Sequence, residues 1–198
     1  MNPVVAQLTS GTVEERVESA RLLCRAPDPE AFDALVAALY EQSGMLIREA
    51  AAALVALGGS AAREELRRAA TEWVAYQPVR LEDGTVLRGR THVGERRGSA
   101  LALAFARCHG DAELCAMLDD RDELWRWPAA CVLGERRAAG ATAALEQAAG
   151  NDPDEVVRSA AVGALQDIRQ GAGRTIGCSR PGPLTALACL MALGGPGC

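Results

Sequence analysis

One short pattern recurs five times along the chain and constrains its fold more than any other feature. Each copy has an Arg, two variable residues, two mostly small residues, one spacer and two mostly aliphatic residues. The copies begin at Arg16, Arg48, Arg97, Arg126 and Arg158. The first reads Arg16-Val-Glu-Ser19-Ala20-Arg-Leu22-Leu23 and the fourth Arg126-Trp-Pro-Ala129-Ala130-Cys-Val132-Leu133. On a helix of 3.6 residues per turn the small pair and the aliphatic pair form one stripe. Small side chains let a neighbouring helix come close, and the aliphatic pair fills the gap beyond.

Successive Arg positions lie 32, 49, 29 and 32 residues apart. Three of these intervals are one helix-turn-helix in length, and the longest is the same unit with about 17 residues inserted. Between the Arg helices lie second amphipathic segments: Pro29–Gln42, Ala61–Trp73, Asp111–Leu118 and Ala141–Ala148. Turn signals separate the two classes at Pro27-Asp28-Pro29, Ser43-Gly44, Gly58-Gly59, Gly110-Asp111 and Asn151-Asp152-Pro153. Asp152-Pro153 predicts a helix start, with Asp152 as cap and Pro153 in the first position. Pro128, inside the fourth Arg helix, predicts a kink or a late start.

The stretch from Asp152 through Val156-Val157-Arg158 to Ala164-Leu165 resembles the second helix of a HEAT-like repeat. More narrowly, it is similar to the short repeats of the phycobilisome-lyase group. The resemblance covers about residues 4–169, closest in the last copy and loosest in the first and third. It implies an all-α fold: a right-handed α-solenoid of about five HEAT-like helix pairs. It also implies a ladder in which the Arg of one repeat pairs with an Asp of its neighbour. That makes Arg16, Arg48, Arg97, Arg126 and Arg158 structural candidates first and binding candidates second.

Composition agrees with helices packed through small side chains. Ala fills roughly a fifth of the chain, aromatic residues only 4 %, and all 21 basic residues are Arg. The net charge of −5 opposes binding to nucleic acid or to an anionic membrane. No secretory leader is expected from residues 1–10, and the apolar run Leu184–Leu193 is too short to span a bilayer. Seven Cys without a CxxC read as reduced thiols, so the expected location is the cytoplasm.

The insertion, near 74–91, reads as a β-hairpin-like excursion around Asp83-Gly84. Arg80, Arg88 and Arg90 cluster in it, and an insertion in a repeat protein often marks the binding face. The alternative is a decorative surface loop. Residues 1–170 form the repeat domain, with 19 Arg against 26 acidic residues; residues 171–198 form a Gly/Pro/Cys-containing tail with no acid. The tail is expected to be poorly ordered, with Leu184–Leu193 as a short helix covering the last repeat. Unselected sequence and a modified peptide are competing readings.

Cys108-His109 with Cys115 is the nearest approach to a metal or Cys–His cluster, and no fourth ligand follows at a zinc spacing. No metal, cofactor or catalytic residue is therefore assigned. Asp119-Asp120-Arg121-Asp122-Glu123 suits a helix N-terminus. Trp125 and Trp127 cannot share a helical face, so one packs inward and the other is left as a partner anchor.

The expected function is a non-enzymatic protein–protein interaction scaffold. Its partner, another protein with an acidic surface, would sit on the solenoid's concave face and on the hairpin. The candidate contacts are Arg80, Arg88, Arg90, Trp125 and Trp127. Two alternatives stand beside it: a bilin-lyase-like enzyme or chaperone subunit, implied by the resemblance, and a HEAT-like DNA-binding or DNA-repair protein.

Overall fold

The computed structural model describes residues 2–74, 79–80, 86–87 and 92–172. Among the described residues, ten α-helices follow one another. They are α1 (Pro3–Ser10), α2 (Val13–Arg25), α3 (Phe32–Ala38), α4 (Gly44–Leu57) and α5 (Gly59–Val74), then α6 (His92–Arg107), α7 (Asp111–Met117), α8 (Glu123–Glu135), α9 (Thr142–Asn151) and α10 (Glu155–Ala172). Short 3-10 turns, Pro29–Ala31 and Ala139–Ala141, lead into α3 and α9.

The even-numbered helices carry the five Arg copies, and each odd-numbered helix packs on the even one that follows it. The even helices also pack in sequence, α2 on α4, α4 on α6, α6 on α8 and α8 on α10. The result is an all-α solenoid of five helix pairs, in which each unit buries its apolar face on its neighbours. Local chemistry sets the boundaries. Thr12 and Glu15 form a capping box at the start of α2. Ser43 caps α4 through the Leu46 N–H. Gly58 and Gly59, with φ of 74° and 86°, turn α4 directly into α5, a conformation that side chains with a Cβ resist.

The repeated stripe behaves as the spacing requires, most fully in the fourth copy. Ala129, Ala130, Val132 and Leu133 are all buried. The outer copies are less complete, with Leu22 of the first and Val162 of the last exposed. The core forms two clusters that meet at α6, which gives Leu101 and Phe105 to one and Leu103 and Ala106 to the other.

Two local expectations are corrected. Pro128 does not delay its helix, because α8 begins at Glu123 and runs through the proline. Asp122 fixes that start by accepting the Leu124 N–H at 3.0 Å, and Asp120 in turn accepts the Asp122 N–H at 3.0 Å. The last helix does not begin at Asp152-Pro153 either. Asp154 takes the capping role, accepting the Val156 and Val157 N–H groups at 2.8 and 3.0 Å. Asp152 is held elsewhere, as the next section describes.

In the insertion, β1 (Val79–Arg80) and β2 (Val86–Leu87) pair antiparallel, Val79 opposite Leu87 and Arg80 opposite Val86. Of the expected tail, 171–198, residues 171–172 end α10 and the rest lie outside the described residues.

Candidate partner-binding surface

The five repeat arginines occupy corresponding helical positions, yet their surroundings differ. Arg126 is buried in the joint between the fourth and fifth helix pairs. Its Nε and Nη2 donate to the two carboxylate oxygens of Asp152 at 2.8 and 3.0 Å. Its Nη1 donates to the carbonyls of Asp120 and Arg121 at 3.0 and 3.1 Å. Asp152 also accepts the Asp154 N–H at 2.8 Å, so one carboxylate fixes both the Arg and the turn before α10. Burial alone would push the Asp152 carboxyl up; the hydrogen bonds from Arg126 and the Asp154 backbone outweigh it and hold it below its ordinary value.

Arg16 makes the corresponding inter-repeat contact at the surface. Its Nη2 meets Glu41 at 2.9 Å and its Nε donates to the Leu8 carbonyl at 2.8 Å. Arg97 donates to the Gln42 carbonyl and lies over the Trp73 ring, 4.4 Å from its centroid. Trp73 in turn donates its Nε1–H to the Leu39 carbonyl at 2.8 Å. Trp73 ends α5 and Arg97 lies near the start of α6, so this stack clamps the two ends from which the insertion leaves. Arg158 donates to the Asp152 and Pro153 carbonyls at 2.7 and 3.1 Å. Arg48 departs from the expected ladder: it is exposed and meets only its chain neighbour Glu49 among the described residues, at 3.4 Å.

The candidate anchors also separate. Trp125 is buried, edge-on to Phe105 at 5.1 Å with Arg67 above its ring, which corrects its assignment as a partner contact. Trp127 is the half-exposed member of the pair. Arg80 lies in β1 but its side chain is outside the described residues, as are Arg88 and Arg90 altogether.

Two concavities open on the described surface. One of about 360 Å³ lies between α7 and α9, walled by Cys115, Leu118, Gln147 and Asn151, with the Arg126–Asp152 pair at its edge. The other, about 240 Å³, lies between α2 and α4, where the exposed Val13 and Met45 flank Arg21 and Glu14. The first is also lined by Asp119 and Asp120, and burial pushes the Cys115 thiol there up. His109 is bonded to the Phe105 carbonyl through Nδ1 at 2.9 Å, and burial pushes the Cys108 thiol up despite Arg63 and Arg136. A raised thiol is a poor nucleophile. Among the described residues, no group of three or more His, Cys, Asp or Glu is placed to hold a metal ion. No helix among them is long and apolar enough to cross a membrane.

With that geometry in place, the relationship to known proteins is clear. Residues 87–166, from the end of β2 into α10, match the family model for HEAT repeats. Over those residues the chain is similar to HEAT repeats. No curated protein matches its sequence. Several solved structures are similar over most of the chain. A designed armadillo repeat protein in complex with a (KR)4 peptide shares 19 % identity over 84 % of this chain and 80 % of its own, with a TM-score of 0.38. An engineered protein shares 21 % identity over 86 % of this chain and 98 % of its own, with a TM-score of 0.34. Human deoxyhypusine hydroxylase shares 20 % identity over 84 % of each chain, with a TM-score of 0.30. The match to HEAT repeats and the stacked helix pairs agree on an α-solenoid architecture.

The clamp formed by Trp73 and Arg97, and the role of Asp152, were missed in the sequence. The signal for Asp152 was present: Asp120, Asp122 and Arg126 recur 32 residues later as Asp152, Asp154 and Arg158.

Proposed function

We propose that this HEAT-like protein is a non-enzymatic scaffold that holds a protein partner along the layer of even-numbered helices, with the insertion adding contacts. The observation that carries the reading is the unbroken packing of α2, α4, α6, α8 and α10 into one layer. That layer offers an extended surface. At its first joint, exposed Val13 and Met45 flank Arg21, a small apolar patch beside a cation that ion-pairs with Glu18 and Glu49. Arg48, exposed on the neighbouring helix, shares Glu49 with Arg21, so this edge carries both signs of charge.

The insertion leaves between α5 and α6, and the Arg97–Trp73 stack fixes its base. A fixed base presents Arg80, Arg88 and Arg90 at reduced entropic cost to binding. The test is charge reversal. R88E/R90E is expected to weaken partner capture from the native host without lowering the melting temperature; unchanged capture removes the insertion from the reading. R21E/M45E is expected to weaken the same capture through the helix layer. A bilin absorbance shift, or duplex DNA binding at low salt, would replace the scaffold reading altogether.

A further inference from the structure

The last repeat contains a guanidinium that is half used. Arg126 and Arg158 sit in equivalent settings 32 residues apart. Each is held through Nη1 by the two carbonyls five and six residues before it: Asp120 and Arg121 for Arg126, Asp152 and Pro153 for Arg158. The other edge of Arg126, its Nε and Nη2, grips the Asp152 carboxylate supplied by the following repeat. The same edge of Arg158 meets no carboxylate among the described residues. The fork is nonetheless oriented, because the carbonyl contacts fix the guanidinium plane.

The apolar surroundings carry the same message independently. Val156 and Val162 of α10 are 54 % and 44 % exposed. Their equivalents one repeat earlier are Leu124, packed against the core, and Ala130, fully buried. Ala130 lies in the cluster that α10 helps to build, so Val162 repeats on α10 a position that is covered on α8. A solenoid end that stayed open to water would be expected to turn polar. Ser159 and Gln166 have turned polar where α8 has Trp127 and Gly134, but Val156 and Val162 stay apolar beside the open cation. Residues 171–198 contain no Asp or Glu side chain.

The geometry points to the α10 end of the stack as a second docking face, for a segment of another protein that begins a helix with a carboxylate and continues with small apolar residues. Its carboxylate takes Nε and Nη2 of Arg158 as Asp152 takes those of Arg126, and its apolar residues cover Val156 and Val162. This end-on contact is separate from the layer proposed above and does not depend on it.

A peptide with the sequence of residues 149–168, which contains the acid and the apolar pattern that cover α8, serves as the probe. The full chain is expected to bind the labelled peptide saturably in fluorescence polarisation. Arg158→Gln in the protein is expected to weaken binding about tenfold or more, and Asp152→Asn in the peptide to weaken it similarly. The two changes together are expected to cost little more than either alone. Val162→Glu, at an exposed position, is expected to abolish binding while leaving the melting temperature unchanged, so the test survives if Arg158→Gln perturbs folding. Absence of saturable binding, or fully additive losses, overturns the proposal. A fall in melting temperature for Val162→Glu assigns the face to this chain's own residues instead. A concentration-dependent rise in mass that Val162→Glu removes assigns it to a second copy; either result overturns the partner assigned here.

Discussion

The joint between the fourth and fifth helix pairs and the joint between the first and second use the same Arg period with different results. In the later joint, the acid is an Asp in the turn immediately before an even helix. Its short side chain is fixed at once by Arg126 and by a backbone N–H, and both partners are nearly dry. In the earlier joint, the acid is Glu41, just after α3, and its side chain is 42 % exposed. The comparison shows that the repeat sets where an arginine stands, while the neighbouring loop sets whether it becomes a lock or a surface contact. A buried pair broken from one side leaves an uncompensated charge, whereas an exposed pair is largely replaced by water.

Substitutions sharpen this contrast in order of size. Asp152→Ala is expected to cost about 3 kcal/mol in chemical denaturation, the lower end for a broken buried pair because the adjacent concavity admits water. Glu41→Ala, by the same measurement, is expected to cost under about 1 kcal/mol. Equal losses would erase the distinction between the joints. The later joint is also the more tightly packed. A Cβ at Gly134 would stand 2.8 Å from the Ala164 Cα, so Gly134→Ala is expected to cost about 1–3 kcal/mol. Gly163, on the same pair of helices but facing open space, is expected to gain about 0.5–1 kcal/mol on conversion to Ala, read as a rise in melting temperature.

Acid should separate the joints too. The Asp152 carboxyl is held below its ordinary value in the folded chain, so the unfolded chain binds a proton more readily as pH falls. Its contribution is complete above the ordinary value and declines below about pH 4. Asp152→Asn is therefore expected to flatten the acid limb of the stability profile. A limb unchanged by Asp152→Asn would mean that other carboxylates govern acid unfolding.

Much of the scaffold was legible because helix period and turn residues are local properties. The small-aliphatic stripe marked every even helix, and Gly58-Gly59 and Ser43-Gly44 marked real boundaries. What escaped depended on residues distant in sequence. Asp-Pro at 152–153 has the local signature of a cap, but Arg126, 26 residues earlier, takes that carboxylate and leaves Asp154 to cap α10. Nothing local distinguishes Trp125 from Trp127; the approach of Phe105 from α6 decides which ring is buried. Arg48 has the repeat pattern without a ladder contact, because the acid it meets is its own neighbour Glu49. The open edge of Arg158 follows from the same 32-residue register, once Asp152 is recognised as the lock for Arg126.

The central claim is that Arg126 and Asp152 act as one unit joining the last two helix pairs. A double-mutant cycle on Arg126→Ala and Asp152→Ala, read by equilibrium denaturation, tests it most directly. The account predicts a coupling of about 2–3 kcal/mol, with the double variant hardly less stable than either single one. Additive losses, with coupling within about 0.5 kcal/mol of zero, would contradict it.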